Sequence, residues 1–375
     1  MYIGVPKEIK NEEFRVALLP EGVAELIAAG HRVLVERGAA ARVGFGDEAY
    51  RAAGADIVAE APEVYARAEL IVKVKELQAS EFALVRPGQV LFAFLHLAPD
   101  PVLLDALLAA RVVGIAFETV SDAHGGLPLL APMSRIAGRL APQVGAWALQ
   151  MANGGRGVLL GGTPGVPPGR VAIIGAGSVG SEATRVAVGL GAAVTVLDVA
   201  TDKLVELDRN FHGRVETCTA SRSALAEALA VADLVVCAVL VPGKLAPKLI
   251  DRALLERMRP GAVLVDVGID QGGIAVSSRP TSHDRPLFVD SGVVHYCVPN
   301  MPSACARTAT LALSRAVFPY LRRLAEQGWR RALREDTGFM AGLQVLDGGV
   351  THAGLAQDCG RPWLDPATAL AADGA

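Results

Sequence analysis

The sequence predicts an α/β chain of two parallel-sheet domains, one inserted into the other. Three observations predict it. Short runs of branched apolar residues alternate with helical patterns, and the alternation occurs twice. A turn-rich stretch, residues 154–169, separates the two series. The helical patterns after the second series have no strands of their own, so the simplest assembly returns them to the first domain. The expected division is 1–130 plus 300–375 for a discontinuous outer domain and 131–299 for the inner one. A cleft between two such domains is a common place to hold a substrate.

In order along the chain, residues 2–5 read as a strand and 21–29 as a helix. Residues 31–36 form a second strand, and 47–53 a short helix closed by Gly54. Residues 68–75 and 88–97 are the next two strands, ending near Lys75 and His96. Asp100 at a cap position and Pro101 in the first turn open a helix. Residues 112–118 are a fifth strand. A long helical pattern over 133–151 leads into the turn-rich stretch, where one short strand is expected. The second series has strands at 171–174, 193–197, 234–239, 263–267 and 293–296. The last helical region starts near Ser303, breaks around Pro319 and runs to Leu333. Residues 366–375 read as a frayed tail.

Composition narrows the classes of function. A length of 375 residues accommodates about two domains of ~150 residues. Hydrophobic residues at 51% and charged residues at 20% are globular proportions. A net charge of -3 without a basic patch disfavours nucleic acid as a partner. No charge-free apolar run reaches the length of a membrane span. The first residues lack the layout of a signal peptide, so a cytoplasmic location is expected. The five cysteines have no paired short spacing and the histidines no HExxH arrangement, so no metal site is assigned. The polar stretch 279–286 reads as a surface loop, and the basic helical pattern over 322–335 as a packing face.

Within the second series, "VAII" is followed by Gly175, Gly177 and Gly180 in a G-x-G-x-x-G pattern, and then by a helical pattern. Gly175 permits a tight turn, Gly177 lets the backbone approach a pyrophosphate, and Gly180 lets helix and strand pack closely. The amides at the helix start face the phosphates. Asp198 ends the next strand, where a carboxylate accepts hydrogen bonds from the ribose hydroxyls and repels a 2'-phosphate. The context is that of a Rossmann-like domain, with NAD rather than NADP as cofactor. Lys203 stands close enough to pair with a phosphate and weighs the other way.

Lys75 and His96 fall at strand ends, which in a parallel sheet line the functional crevice. Lys75 suits a carboxylate or carbonyl, and His96 exchanges protons near neutral pH. A capping lysine and a packed histidine fit the same pattern. Asp270, in "VDVGIDQGG", falls at another strand end, and so does Asn300 in "YCVPNMPS". A solvated turn aspartate and a helix-start asparagine are their plainer readings. On pattern alone Arg15 is a surface arginine.

Taken together, "MYIGVPKEIKNEEFRVALLP", "VKVKE", "FLHLA", "LPLLAPMS", "GGRGVLLGG", "DVGIDQGG" and "HYCVPNMP" resemble the alanine dehydrogenase family over nearly the whole chain. The family is itself similar to the NAD-binding part of proton-translocating transhydrogenases and, more distantly, to saccharopine dehydrogenases. The resemblance implies an NAD-dependent oxidoreductase that reversibly converts L-alanine and water to pyruvate and ammonium. Arg15 and Lys75 match the residues that hold the substrate carboxylate and carbonyl. His96 matches the acid–base residue, and Asp270 the second catalytic residue. Ser134, Gly175, Gly177, Ser178, Val179, Gly180, Asp198, Lys203, Ala220, Val239, Leu240, Val267, Gly268, Ile269, Asp270, Arg279, Val298, Pro299, Asn300 and Met301 fall at cofactor positions. The implied chemistry is hydride transfer from the α-carbon to nicotinamide C4, then water attack on the iminium and collapse of a carbinolamine. A homohexamer is implied as well. Gly268, Pro299, Ser303 and Ala220 beside Ser221 depart from residues common in the family. They bear on cofactor affinity rather than on reaction class. The same architecture also serves dehydrogenases of other small amino acids and transhydrogenase-like subunits that bind NAD without this chemistry.

Overall fold

A computed structural model describes residues 1–239 and 246–371 of the chain. It divides into two compact units, Met1–Met133 with Cys305–Ala375, and Ser134–Ala304.

The first unit opens with six parallel strands, β1 (Tyr2–Val5), β2 (Arg32–Glu36), β3 (Asp56–Val58), β4 (Leu70–Val72), β5 (Val90–Ala93) and β6 (Val113–Ala116). Helices α1 (Pro20–Ala28), α2 (Asp47–Ala52), α3 (Ala61–Arg67) and α4 (Pro101–Ala109) occupy the crossovers. Strands β4, β5 and β6 are buried at every residue. That is why they read as unbroken apolar runs rather than as alternations. The Asp100 carboxylate accepts the Leu103 N–H at 3.0 Å and caps α4, with Pro101 in its first turn.

The second unit begins within α5 (Ala131–Ala148) and holds seven strands. They are β7 (Arg170–Ile174), β8 (Ala193–Asp198), β9 (Glu216–Thr219), β10 (Leu234–Cys237), β11 (Val263–Asp266), β12 (Leu287–Asp290) and β13 (Val293–Tyr296). Helices α6 (Ser178–Gly189), α7 (Thr201–Phe211), α8 (Arg222–Val231) and α9 (Arg252–Leu255) lie among them. The strand order is β12-β13-β11-β10-β7-β8-β9, with β12 alone antiparallel to its neighbour. The order reverses between β7 and β10, which makes that pair the switch point of a Rossmann-like sheet.

The chain then returns to the first unit as α10 (Ala306–Gln327), α11 (Trp329–Arg334), α12 (Thr337–Met340), β14 (Leu343–Leu346), β15 (Gly349–Val350), α13 (Ala353–Asp358) and α14 (Pro366–Ala371). Strand β14 pairs antiparallel with β6, and β15 with β14. The completed sheet has eight strands in the order β15-β14-β6-β5-β4-β1-β2-β3. Its parallel part has its own switch point, between β1 and β4.

Several expectations are corrected. The closing segment does bring strands, β14 and β15, hidden between short helices. The turn-rich stretch has no named strand, only the bridge Thr163–Val166. Helix α10 continues through Pro319 and ends at Gly328, whose φ is +76°. Pro319 and Arg315 are exposed, so water reaches the Arg315 carbonyl that loses its partner. Residues 366–371 are helical rather than frayed, because Leu370 is buried and the Asp365 carboxylate accepts the Thr368 N–H at 2.9 Å. Among the described residues, no helix is long and apolar enough to cross a membrane.

Candidate active-site residues at the carboxyl ends of the parallel strands

In the first unit the polar residues gather past the carboxyl ends of four neighbouring strands. Glu8 follows β1, Lys73 and Lys75 follow β4, His96 follows β5, and Glu118 follows β6. The Glu8 carboxylate accepts the Val74 N–H at 2.6 Å and the Lys75 N–H at 3.2 Å. It thereby fixes the backbone from which Lys75 projects. Lys73 sits 3.6 Å from Glu8 and donates to Glu81 at 2.6 Å, and the Tyr65 hydroxyl donates to the same Glu81 oxygen. Burial pushes the Glu8 carboxyl up to about 7, against the pull of Lys73 and with the charge of Glu13 adding to the rise. Lys75 itself is buried.

Arg15 is 2% exposed, which overturns its reading as a surface arginine. Its Nε and Nη2 donate to the two oxygens of Glu13 at 2.7 and 2.5 Å, a bidentate pair that compensates for its burial. Nη1 contacts Met133 Sδ at 3.0 Å. The following loop is pinned to α10, where Thr310 and Ser314 hydroxyls accept the Val16 and Leu19 N–H groups at 3.2 and 3.1 Å. Pattern alone missed this because the partners lie at |i−j| of 294 and 295.

His96 has a φ of +45°, in the left-handed region. Glu118 holds it there by accepting the His96 N–H at 2.7 Å and the Leu95 N–H at 3.2 Å. The imidazole stacks on Phe94 with 5.7 Å between ring centroids. Glu76 joins His96 to Lys75. Burial by itself would raise its carboxyl, but Lys75, the hydrogen-bonded Lys10 and His96 outweigh that and hold it below its usual range. Lys75 and His96 are thus brought into one field of charge.

In the second unit, the three glycines meet the demands of a dinucleotide loop. Gly175 has a φ of +106°, and a Cβ there would lie 2.7 Å from the Ala238 carbonyl oxygen. A Cβ on Gly180 would lie 1.7 Å from the Gly175 oxygen, while one on Gly177 would project into open space. Helix α6 begins at the exposed Ser178, with Val179 buried beside it. The Asp198 carboxylate accepts the Ala176 N–H at 2.6 Å and the Ala200 N–H at 2.8 Å. It braces the glycine loop and remains half-buried, with lone pairs to spare for a ribose. These residues fit a nicotinamide dinucleotide.

The other cofactor candidates are distributed as follows. Ser134 is half-buried in the first turn of α5. Lys203 is exposed in the first turn of α7. Ala220 is half-buried and donates its N–H to the Asp198 carbonyl at 2.9 Å. The adjacent Ser221 caps α8 by accepting the Ala224 N–H at 3.1 Å. Val239 follows β10, and Leu240 lies outside the described residues. Val267, Gly268, Ile269 and Asp270 form a short 3-10 turn directly after β11. Asp270 is exposed, and its carboxylate accepts the Asn300 N–H at 3.4 Å, which brings those two together. Asn300 has a φ of +61°, half-buried Pro299 precedes it, and Val298 and Met301 flank the pair as buried anchors. Arg279 stacks its guanidinium on Phe288, 4.3 Å from the ring centroid.

Sequence reasoning passed over Glu8, Glu13, Glu118 and Asp266. Glu118 and Asp266 had a signal, since each closes an apolar run, as Lys75 and His96 do. The five cysteines are free. Among the described residues, no group of three His, Cys, Asp or Glu side chains is arranged to hold a metal.

Comparison with known proteins agrees with this geometry. Residues 4–137 match the family described as "Alanine dehydrogenase/PNT, N-terminal domain", and residues 141–353 match its C-terminal domain. A protein of Halomonas elongata named alanine dehydrogenase is 50% identical over 99% of this chain and 100% of its own length. One from Mycobacterium tuberculosis with the same name is also 50% identical, over 99% of this chain and 100% of its own. A solved structure titled L-alanine dehydrogenase superposes with a TM-score of 0.91 at 47% identity, covering 96% of this chain and 99% of that one. The chain belongs to the alanine dehydrogenase/PNT family.

Proposed function

We propose that this chain catalyses the NAD-dependent, reversible oxidative deamination of L-alanine to pyruvate and ammonium. The observation that carries the reading is the placing of Lys75 and His96 past the carboxyl ends of the adjoining parallel strands β4 and β5, in a chain about 50% identical to alanine dehydrogenases along its length. A buried cation beside an imidazole suits a small carboxylate that must gain and lose protons.

Gly175, Gly177 and Gly180 would hold the pyrophosphate of NAD, and Asp198 its adenosine ribose. When bound, NAD supplies the acceptor for the hydride of the substrate α-carbon. The remaining steps fall to side chains of this chain. Arg15, its plane set by Glu13, binds the substrate carboxylate, and Lys75 polarises the oxygen that becomes the pyruvate carbonyl. His96 takes a proton from the attacking water at its imidazole and returns it to the departing ammonia. Asp270 accepts hydrogen bonds from that water or ammonia and holds it in place. The charge of Asp198 favours NAD over NADP. A cytoplasmic homohexamer is part of the same reading.

The test is NADH formation by the purified chain with L-alanine, serine, valine and glycine in turn. The reverse assay is consumption of NADH with pyruvate and ammonium. L-alanine is expected to be the best substrate. A faster rate with another small amino acid reassigns the substrate. No turnover with any of them, together with tight NADH binding, points instead to a nucleotide-binding subunit.

A further inference from the structure

Asp266 closes β11 and is fully buried. One oxygen, Oδ1, accepts the Gly268 N–H at 3.1 Å. The other, Oδ2, accepts the Ile274 N–H at 2.7 Å, the Ala275 N–H at 3.3 Å and the Ser278 hydroxyl at 2.5 Å. The three backbone donors come from both ends of segment 267–275, which carries Asp270. Burial raises the Asp266 carboxyl above its ordinary range, and these donors pull against that rise.

The segment is also wrapped tightly around this group. Gly273 has a φ of +79°, and a Cβ on it would lie 2.9 Å from Asp266 Oδ2. The Lys248 ammonium donates to the carbonyls of Gly272, Gly273 and Ala275 at 2.6, 2.9 and 3.2 Å. The carboxylate thus takes the N–H groups of the segment and the ammonium takes its carbonyls. Asp270 is exposed at the tip, and its placement is inherited from this turn.

We propose that Asp266 and Lys248 are positioning residues that clamp the segment, one through its N–H groups and the other through its carbonyls, and set the Asp270 carboxylate for reaction. The proposal rests on the reading of Asp270 as a reacting group. Asparagine at 266 presents one acceptor oxygen and one amide that faces an N–H, so one end of the segment must loosen. The glycine loop at Gly175–Gly180 and its Asp198 brace are not part of the clamp. Because the segment also carries the cofactor candidates Val267 to Asp270, some loss of dinucleotide affinity accompanies the change, and turnover should fall further than affinity.

The test compares the parent with Asp266→Asn, Lys248→Ala and Asp270→Asn. Reduction of pyruvate with ammonium and NADH is measured, with kcat normalised to NADH-binding sites titrated by fluorescence. In Asp266→Asn, kcat is expected to fall about tenfold or more, the effect of a misplaced reacting group, with the NADH Kd and pyruvate KM within about threefold. Lys248→Ala should shift kcat in the same direction by less, and it covers the case in which Asp266→Asn fails to fold. Amide hydrogen exchange should speed up in 267–275 but not in β7 or β8. The proposal is overturned if both clamp variants keep parental kcat while Asp270→Asn is inactive. It is equally overturned if NADH affinity falls in step with kcat. A parental kcat in Asp270→Asn removes the reading of Asp270 instead, and the proposal with it.

Discussion

Glu118 accepts the His96 backbone N–H at 2.7 Å, and the same oxygen stands 3.7 Å from the His96 ring nitrogen Nδ1. One carboxylate past β6 therefore both fixes the left-handed backbone of His96 and faces its imidazole. The ring sits on Phe94 and is 37% exposed, so its removal deletes chemistry more than packing.

For this reason His96→Ala is expected to lower turnover by roughly 100-fold or more, the range of a lost proton-transfer group. Thermal unfolding should be little changed. A folded variant with a near-parental rate would reject the acid–base role.

In the proposed function Asp198 serves the dinucleotide rather than the reacting carbon. Asp198→Ala is expected to reduce the preference for NAD over NADP, read as the ratio of kcat/KM for the two cofactors. Because the carboxylate also braces Ala176 and Ala200, some loss of NADH affinity should accompany it. An unchanged cofactor ratio would exclude the ribose assignment.

Glu8 makes stability depend on pH. Burial pushes its carboxyl up to about 7, from 4.5 in the absence of perturbation. Between those values the folded chain keeps a proton that the unfolded chain has released, so folding weakens as pH rises. The stabilisation is fully present below 4.5 and lost by about 7, about 3 kcal/mol in all. Glu8→Gln has no proton to lose and keeps an oxygen for the Val74 N–H. Urea midpoints at several pH values should decline across this window in the parent and stay flatter in the variant. Parallel declines would show that Glu8 is not the group responsible.

Gly180→Ala tests the packing of the dinucleotide loop. Its Cβ would fall 1.7 Å from a backbone oxygen that has no rotamer to change. The loop must move, with an expected cost of about 1–3 kcal/mol and loss of NADH binding. Retained affinity, measured by fluorescence titration, would refute the need for glycine there.

Much of this arrangement was legible in the sequence, for local reasons. Asp198 is recognisable because it ends an apolar run that follows the glycine motif. Asp100 and Pro101 mark a helix start with their own chemistry. Strand β9, with the sequence ETCT, has no apolar run and went unseen. Strands β14 and β15 are short and separated from the other strands by helices. Arg15 was misread because its environment is made by Glu13 and by Met133, at |i−j| of 118. Glu8 is a glutamate among several in "PKEIKNEEF", and only the folding of β1 against β4 sets it beneath Lys75.

The return of β14 to the edge of β6 has a consequence for the order in which the protein is completed. A ribosome releases all the strands of the contiguous unit by residue 296, so that sheet can close while synthesis continues. The sheet begun by residues 2–5 keeps an open edge at β6 until Leu343–Leu346 emerges. The loop that carries Arg15, although among the first residues made, gains its Val16 and Leu19 hydrogen bonds only when Thr310 and Ser314 arrive. The middle of this chain can mature first, and its beginning last.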